Sequence, residues 1–249
     1  MADPEKLVRN LLKSVSRAVR DFALIADGDR IAVAVSGGKD SRTLLELLLH
    51  GVDVPAAYTV VAVHIDGAAV GLPPLAAEME AWFRTLGVEY EIAPLEVGAD
   101  EPLPMGCFRC AWNRRKALFF AADRLGCNKV ALGHHADDAA VTTLMSLMTK
   151  GKLETLEPGR VFFNGRFTVI RPLIYLSAAE IARYARARGW TFAAEQACPR
   201  SEVAWRVHFE RFLATFSDRE QAQIRANLWR AARGGAGKRE VICYENQSS

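Results

Sequence analysis

A glycine turn with charged and hydroxyl side chains is the first segment whose residue types could do chemistry. It reads Ser36-Gly37-Gly38-Lys39-Asp40-Ser41 and stands between a short apolar run and a leucine-rich stretch. Glycines let backbone N–H groups approach an anion closely, and a helix that begins at Asp40–Ser41 adds unpaired N–H groups and the positive end of its dipole. Lys39 adds a point charge, and the serines add hydroxyl donors. The turn is predicted to hold phosphate, although both GxxxxGK[ST] and GxGxxG are absent.

Two cysteines at the spacing CxxC form a second candidate centre. Cys107 and Cys110 lie within one helical turn, so both sulfurs can bind one metal. The spacing leaves three alternatives open, namely structural zinc, a redox disulfide and an iron–sulfur cluster, and by itself it favours zinc. Zinc needs further ligands, for which Cys198, His134 and His135 are candidates. Three cysteines would instead suit a cluster with one iron left open.

A third polar segment, Gly133-His134-His135-Ala136-Asp137-Asp138, follows an apolar run and precedes a helix. Its two carboxylates are candidates for holding Mg²⁺ on phosphate groups, because hard oxygen ligands suit that ion. Asp137 is alternatively the N-cap of the helix, and either histidine a satisfied turn residue. The segment is therefore predicted to belong to the same ligand site as the glycine turn.

The elements that must position these segments alternate along the chain. Strands are predicted at 30–35, 58–65, 88–93 and 129–132 with helices between them, which indicates a doubly wound parallel α/β sheet. Ligands bind at the carboxyl ends of strands in such sheets, where all three segments fall. The last third differs, with a hairpin predicted at Asn164-Gly165 and a helix capped by Ser177 and Glu180. Further helical stretches are predicted at 201–216 and 218–232.

Composition limits the function classes. The chain has 249 residues, of which 50% are hydrophobic, and a net charge of +3, which fits a globular protein and permits a nucleic-acid partner. Five cysteines, an odd number, argue against a disulfide framework. There is no apolar run long enough to span a membrane and no signal-peptide layout at the N-terminus, so no membrane partner and a cytoplasmic location are expected.

The glycine turn resembles the PP-loop of the ATP pyrophosphatase superfamily, whose loop grips the pyrophosphate of ATP. The resemblance implies the adenine nucleotide alpha hydrolase-like fold, and it places His64 and Asp66 where the family holds adenine and ribose. ATP contacts are implied for all six turn residues, Gly133 and His134. The implied organisation is an N-terminal helix at 1–28, a PP-loop ATP-binding domain at 29–176 and a helical region at 177–249.

The cysteine pair, the arginine-rich stretch after it, and Ala131 to Asp138 make the chain similar to the tRNA 2-thiocytidine synthetase family. That family binds a [4Fe–4S] cluster through three cysteines, which here correspond to Cys107, Cys110 and Cys198. The second CxxC of the family is broken, with Ser201 in its last place. Because that last cysteine is not a ligand in the family, the cluster is still expected.

The resemblance implies ATP-dependent 2-thiolation of a tRNA pyrimidine. AMP is transferred to the carbonyl oxygen, and sulfide held at the open iron then displaces it. Lys39, Asp40 and Asp138 are the implied catalytic residues, the two aspartates as candidates for orienting Mg²⁺. The expected partners are tRNA and a sulfur donor, either a protein or free sulfide, and a homodimer is one open alternative.

Two other functions stay open at this stage. The first is a cluster-free PP-loop ligase or amidotransferase of the tRNA-lysidine type, in which the cysteine pair holds zinc. The second is a non-enzymatic module that senses nucleotide or redox state. Cys127 and Cys243 match no ligand of the family and are expected to be incidental thiols.

Overall fold

The computed structural model describes residues 4–98, 101, 103, 105–190 and 205–234. Helices and strands alternate through most of this range. In chain order the elements are α1 (Pro4–Asp21), β1 (Asp29–Ala34), α2 (Lys39–His50), β2 (Tyr58–Asp66), α3 (Ala76–Leu86), β3 (Glu89–Pro94), α4 (Cys107–Arg124), β4 (Lys129–Ala131), α5 (Ala136–Lys150), β5 (Gly159–Phe162), β6 (Phe167–Ile170), α6 (Ala178–Ala187), α7 (Trp205–Ala214) and α8 (Asp218–Gly234). The predicted alternation is confirmed.

One six-stranded sheet has the strand order β3-β2-β1-β4-β6-β5. All neighbours are parallel except the edge strand β5, which runs antiparallel to β6. From β1 the chain moves outward through β2 and β3, then returns to the other side of β1 as β4. The carboxyl ends of β1 and β4 therefore flank the point where strand order reverses, which is where open α/β sheets bind ligands.

The sheet has a hydrophobic layer on each face. Ile31 and Val33 of β1 belong to one buried cluster with residues of α1, α2, α3 and α6. Ala32, which points to the other face, belongs to a second cluster with Leu118 and Phe119 of α4. This alternation follows from the two-residue period of a strand, and both faces are apolar because helices cover both. The doubly wound architecture is confirmed.

The hairpin prediction is right about the strands but wrong about the turn. Phe162 pairs with Phe167, so four residues connect β5 and β6 where an Asn-Gly turn predicts two. Phe163, Asn164 and Gly165 all have positive φ angles, of 52°, 53° and 94°. The ring of Phe163 packs edge-on against Phe119 at 5.0 Å, which holds the extra residues in place.

Two helix starts test the capping predictions. Ser177 caps α6, and the reciprocal bonds with Glu180 form the predicted capping box. The alternative of Asp137 as an N-cap is wrong, because α5 begins at Ala136 and Asp137 lies inside its first turn. None of the described helices has the length and apolar character needed to cross a bilayer.

The chain divides into two compact units. The first contains the described residues up to 136 and from 157 to 190, and it includes the whole sheet. The second contains residues 137–156 and 205–234 and has a small core in which Leu213 packs with Ala140 and Val141. The division predicted from the sequence, into segments 1–28, 29–176 and 177–249, stays a prediction.

Candidate functional site

The glycine turn connects β1 to α2 and is braced by its own serines. Ser41 Oγ donates to the Gly38 carbonyl at 2.9 Å and accepts from the Ser36 N–H at 3.1 Å. Gly37 has a φ of +90°, and Gly38 is the extended N-cap of α2, with no side-chain cap. The first N–H groups of α2 are thus left to a ligand, as expected for an anion-binding turn.

Two charged side chains and a histidine stand at the start of α2. Lys39 Nζ lies 2.7 Å from Asp40 Oδ1, and His135 Nε2 lies 3.7 Å from the same oxygen. His135 is buried, whereas Lys39 and Asp40 are half-buried. The arrangement places a cation and a carboxylate at the mouth of the turn, where they suit phosphate charge and a divalent ion.

The β4–α5 segment lies directly against the glycine turn. An ideal Cβ on Gly133 would be 3.0 Å from both the Asp40 carbonyl carbon and the Ser41 nitrogen. Only glycine therefore allows this close approach without moving the backbone of α2. The structure thus brings together the glycine turn, Gly133 and the adjoining histidines, as predicted from the carboxyl ends of β1 and β4.

Two buried arginines that support the site were missed as site residues. Arg42 donates from Nε to the Gly37 carbonyl at 2.9 Å and pairs with Glu78. Arg171 donates from Nε to His134 Nδ1 at 3.2 Å and from Nη1 to the Glu157 carbonyl. The sequence signal for Arg42 is a basic residue inside an otherwise leucine-rich helix, whereas the local sequence around Arg171 does not indicate a supporting role.

His64 and Asp66, at the end of β2, have different surroundings. His64 is buried, and its Nδ1 lies 2.7 Å from the Val35 carbonyl, the residue before the glycine turn. That contact makes Nδ1 the protonated nitrogen, and burial lowers the pKa of His64 below its usual value. Asp66 accepts the Ala68 N–H through Oδ1 at 3.0 Å. His64 therefore positions the strand end that carries the turn.

The cysteine pair opens α4. Cys107 is the first residue of the helix and is exposed, and Cys110 is half-buried one turn later. The donor set fits a metal centre, because two sulfurs at a helix start can face one ion or cluster and the helix dipole favours thiolate. Cys198 and Cys243 lie outside the described residues. Cys127 is buried in the sheet core, and burial raises the pKa of its thiol.

The histidines do not complete a zinc site with the cysteine pair. In the described ranges, no group of three or more His, Cys, Asp or Glu side chains is arranged to hold a metal ion. The alternative in which His134 or His135 joins Cys107 and Cys110 is therefore wrong.

The two carboxylates of α5 belong to the second unit and are paired there. Asp137 Oδ1 accepts from Arg225 Nη1 at 2.7 Å, and Asp138 Oδ1 accepts from Arg206 Nη2. Both arginines come from the helical region near the end of the chain. An Mg²⁺ role for Asp138 stays a prediction.

Sequence comparisons match the chain to known families. A family described as PP-loop domain matches residues 7–198. A tRNA-cytidine(32) 2-sulfurtransferase of Anaeromyxobacter sp. (strain Fw109-5) is 37% identical over 237 residues, covering 93% of this chain and 77% of the relative. A protein of the same name from Syntrophotalea carbinolica is 40% identical over 196 residues, covering 74% of this chain and 73% of the relative.

Comparison with solved structures supports the same fold. The U34-tRNA thiolase NcsA from Methanococcus maripaludis, solved with its [4Fe–4S] cluster, aligns with a TM-score of 0.75. The alignment covers 96% of this chain and 84% of the thiolase, at 21% identity. The similarity confirms the architecture, including the sheet whose strand ends carry the glycine turn.

Proposed function

The chain belongs to the PP-loop family and, within it, to the tRNA-cytidine(32) 2-sulfurtransferases, and from that premise we propose that it catalyses ATP-dependent transfer of sulfur to a pyrimidine of tRNA. The observation that carries the proposal is the uncapped start of α2 after Gly37 and Gly38, at the point where strand order reverses. Backbone N–H groups there suit the pyrophosphate of ATP.

In the first step the base is activated. The carbonyl oxygen on carbon 2 of the pyrimidine attacks the α-phosphorus of ATP, the bond to pyrophosphate breaks, and the oxygen carries AMP. Negative charge grows on the departing pyrophosphate, and the N–H groups of the turn together with Lys39 stabilise it. Asp40, next to Lys39, is the proposed residue for orienting Mg²⁺.

In the second step sulfur replaces the activated oxygen. A hydrosulfide equivalent adds to carbon 2, AMP departs with the original oxygen, and the proton of the sulfur is released to solvent, so that atoms and charge balance. A [4Fe–4S] cluster, when bound, supplies an iron with an open position that holds sulfur. Cys107 and Cys110 are proposed as two of its ligands and Cys198 as the third.

The residues around the glycine turn hold it in the shape that binds pyrophosphate. Arg42 fixes the Gly37 carbonyl, His64 fixes the Val35 carbonyl, and Gly133 lets the next segment close against the turn. These contacts preorganise the turn, so little reorganisation is needed when pyrophosphate leaves. His134, oriented by Arg171, is proposed to contact the nucleotide. The sulfur donor and a homodimeric state stay predictions.

Mass spectrometry of tRNA nucleosides from cells that lack the gene tests the proposal. We expect one thiolated pyrimidine to disappear and to return when the wild-type gene is restored. Lys39→Ala and Cys110→Ser should not restore it, whereas Cys127→Ser, a buried cysteine away from the helix start, should. An unchanged nucleoside profile would rule out the function. A colourless, zinc-containing protein after anaerobic purification would favour the ligase alternative.

A further inference from the structure

The outer face of α4 carries alternating cations and aromatic rings. Arg109, Trp112, Lys116 and Phe120 are spaced three or four residues apart, which places them on one face of the helix. All four side chains are exposed, and 45% of Trp112 and 56% of Phe120 is accessible to solvent. We call these four residues the α4 ladder. Large exposed aromatic side chains at regular spacing indicate a binding surface.

The ladder is held together by cation–π contacts. The Arg109 guanidinium lies 5.4 Å from the centroid of Trp112, and Lys116 Nζ lies 5.6 Å from the same ring. Lys116 Nζ also lies 5.7 Å from the centroid of Phe120. These contacts favour particular orientations of the rings, so less conformational entropy is lost when another flat group stacks on them.

The charge on this helix is poorly neutralised. Arg109 is paired with Glu101, which lowers the pKa of that carboxyl. Arg114, Arg115 and Lys116 are exposed, and none of them has an ion pair with any carboxylate in the described part of the chain. Of these three cations, Lys116 lies on the same face as the exposed rings, where it offers a positive charge to a polyanion that also carries flat groups.

A groove of about 570 Å³ lies beside the ladder. Its lining residues are Arg109, Trp112, Asn113 and Lys116 of α4 together with Glu96, Gly98 and Glu101. That volume fits one nucleotide, and it lies within the range of small-ligand pockets. The charges of the lining balance, with Glu96 and Glu101 against Arg109 and Lys116, so the features that suit a nucleotide are the Trp112 ring and the Lys116 ammonium.

We propose that this groove binds an unpaired nucleotide of the tRNA, with its base stacked on Trp112 and its phosphate at Lys116. The inference rests on the proposed function, because tRNA is the substrate there. Trp112 follows Cys107 by five residues, a rise of about 7 Å along the helix axis, and the helical period places the two side chains on different faces of α4. Trp112 and Lys116 are then positioning residues for the substrate.

Replacing Trp112 tests the stacking contact. We expect Trp112→Ala to weaken tRNA binding about 5- to 100-fold and to raise KM for tRNA more than it lowers kcat, because stacking on one aromatic ring is lost. Trp112→Phe keeps a ring and should stay within a few-fold of the wild type. Trp205→Ala, which removes a similarly exposed ring from α7, is the matched control and should bind normally. Fluorescence anisotropy with labelled tRNA gives the affinities.

Replacing Lys116 tests the phosphate contact. Lys116→Gln should reduce the slope of log affinity against log salt concentration by about one, while Lys13→Gln on the exposed side of α1 should leave it unchanged. A single-stranded oligoribonucleotide should compete for the groove, whereas an acidic peptide should not. Competition by the peptide alone would assign the groove to a protein partner instead.

The outcomes separate this inference from the proposed function. If wild-type protein thiolates tRNA and Trp112→Ala binds tRNA with wild-type affinity, the groove assignment is wrong and the function stands. If wild-type protein binds tRNA through Trp112 but forms no thiolated nucleoside, the function is wrong and the groove assignment stands. Thermal melting of each variant shows whether a loss of binding comes from unfolding.

Discussion

Single residues at the β1–α2 turn are where sequence and chemistry correspond most directly. The residue types of Ser36 to Ser41 predict an anion site with serine hydroxyls as donors. The structure places the turn between β1 and α2 and shows Ser41 bonded within the turn itself. The sequence could not predict Arg42 or Arg171 as supports, because a buried arginine depends on partners distant in the chain. Glu78 and the Glu157 carbonyl are brought to them only by folding.

Gly133 gives the sharpest prediction at this scale. We expect Gly133→Ala to weaken ATP binding at least tenfold, because its Cβ would meet the backbone of Asp40 and Ser41 at 3.0 Å and push the turn out of shape. Gly98→Ala is the control, since a Cβ there meets nothing within 4 Å. Isothermal titration with ATP measures both. Equal affinities in the two variants would contradict the argument.

His64 makes stability depend on pH. Burial lowers its pKa in the folded protein, so below its ordinary value of about 6.5 the unfolded chain binds a proton that the folded protein does not. Stability is therefore expected to fall as pH decreases through that range. His64→Asn keeps an N–H for the Val35 carbonyl but cannot titrate, so it should flatten this part of the profile. Urea unfolding at pH 5.5 and 7.5 tests it, and identical pH dependence in the two proteins would exclude His64 as the cause.

Contacts between helices and strands decide structural details that the local sequence does not. The alternation of strands and helices was predictable, because apolar periodicity and glycine stops are local signals. The four-residue turn after β5 and the start of α5 were not, because packing of Phe163 on Phe119 and the backbone bond from the Ala136 N–H to the Leu176 carbonyl decide them. Both depend on residues far away along the chain.

The contact between α2 and α6 is a buried polar one. Glu46 accepts bonds from the Tyr184 hydroxyl and from Arg188 Nη2, and both Glu46 and Tyr184 are buried. Burial raises the pKa of Tyr184, so its proton stays on oxygen. Tyr184→Phe should lower the free energy of unfolding by about 1–3 kcal/mol. Tyr175→Phe, which loses a more exposed bond to Asp21, should cost less in the same denaturant titration. A larger loss at Tyr175 would contradict this account.

The role of Asp138 on α5 can be tested by measuring how the reaction depends on Mg²⁺ concentration. If Asp138 serves mainly to pair with Arg206, both Asp138→Asn and Arg206→Gln should destabilise the protein, and Arg206→Gln the more, because it leaves the nearly buried carboxylate charged without this partner. The Mg²⁺ concentration needed for pyrophosphate release should then stay the same in Asp138→Asn. A severalfold increase in that concentration for Asp138→Asn alone would instead identify Asp138 as a magnesium ligand.

Over the whole molecule the net charge is +3, and on α4 the cations Arg114, Arg115 and Lys116 have no ion pair with a carboxylate among the described residues. When these cations bind the phosphates of tRNA, the counterions of those phosphates are released. The affinity for tRNA should therefore fall steeply as the salt concentration rises. Affinity measured between 50 and 200 mM KCl should fall by about tenfold or more. ATP affinity, which depends on backbone N–H groups and Lys39, should change far less. A flat response for tRNA would argue against an RNA substrate.

The position of Cys107 has a practical consequence. Its sulfur is exposed at the tip of α4, whereas the sheet and its two apolar layers are buried beneath helices. Air and peroxide therefore reach the sulfur of Cys107 without disturbing the buried sheet. Preparations handled in oxygen should consequently lose turnover while melting at an unchanged temperature, so a well-folded but inert sample signals oxidative damage.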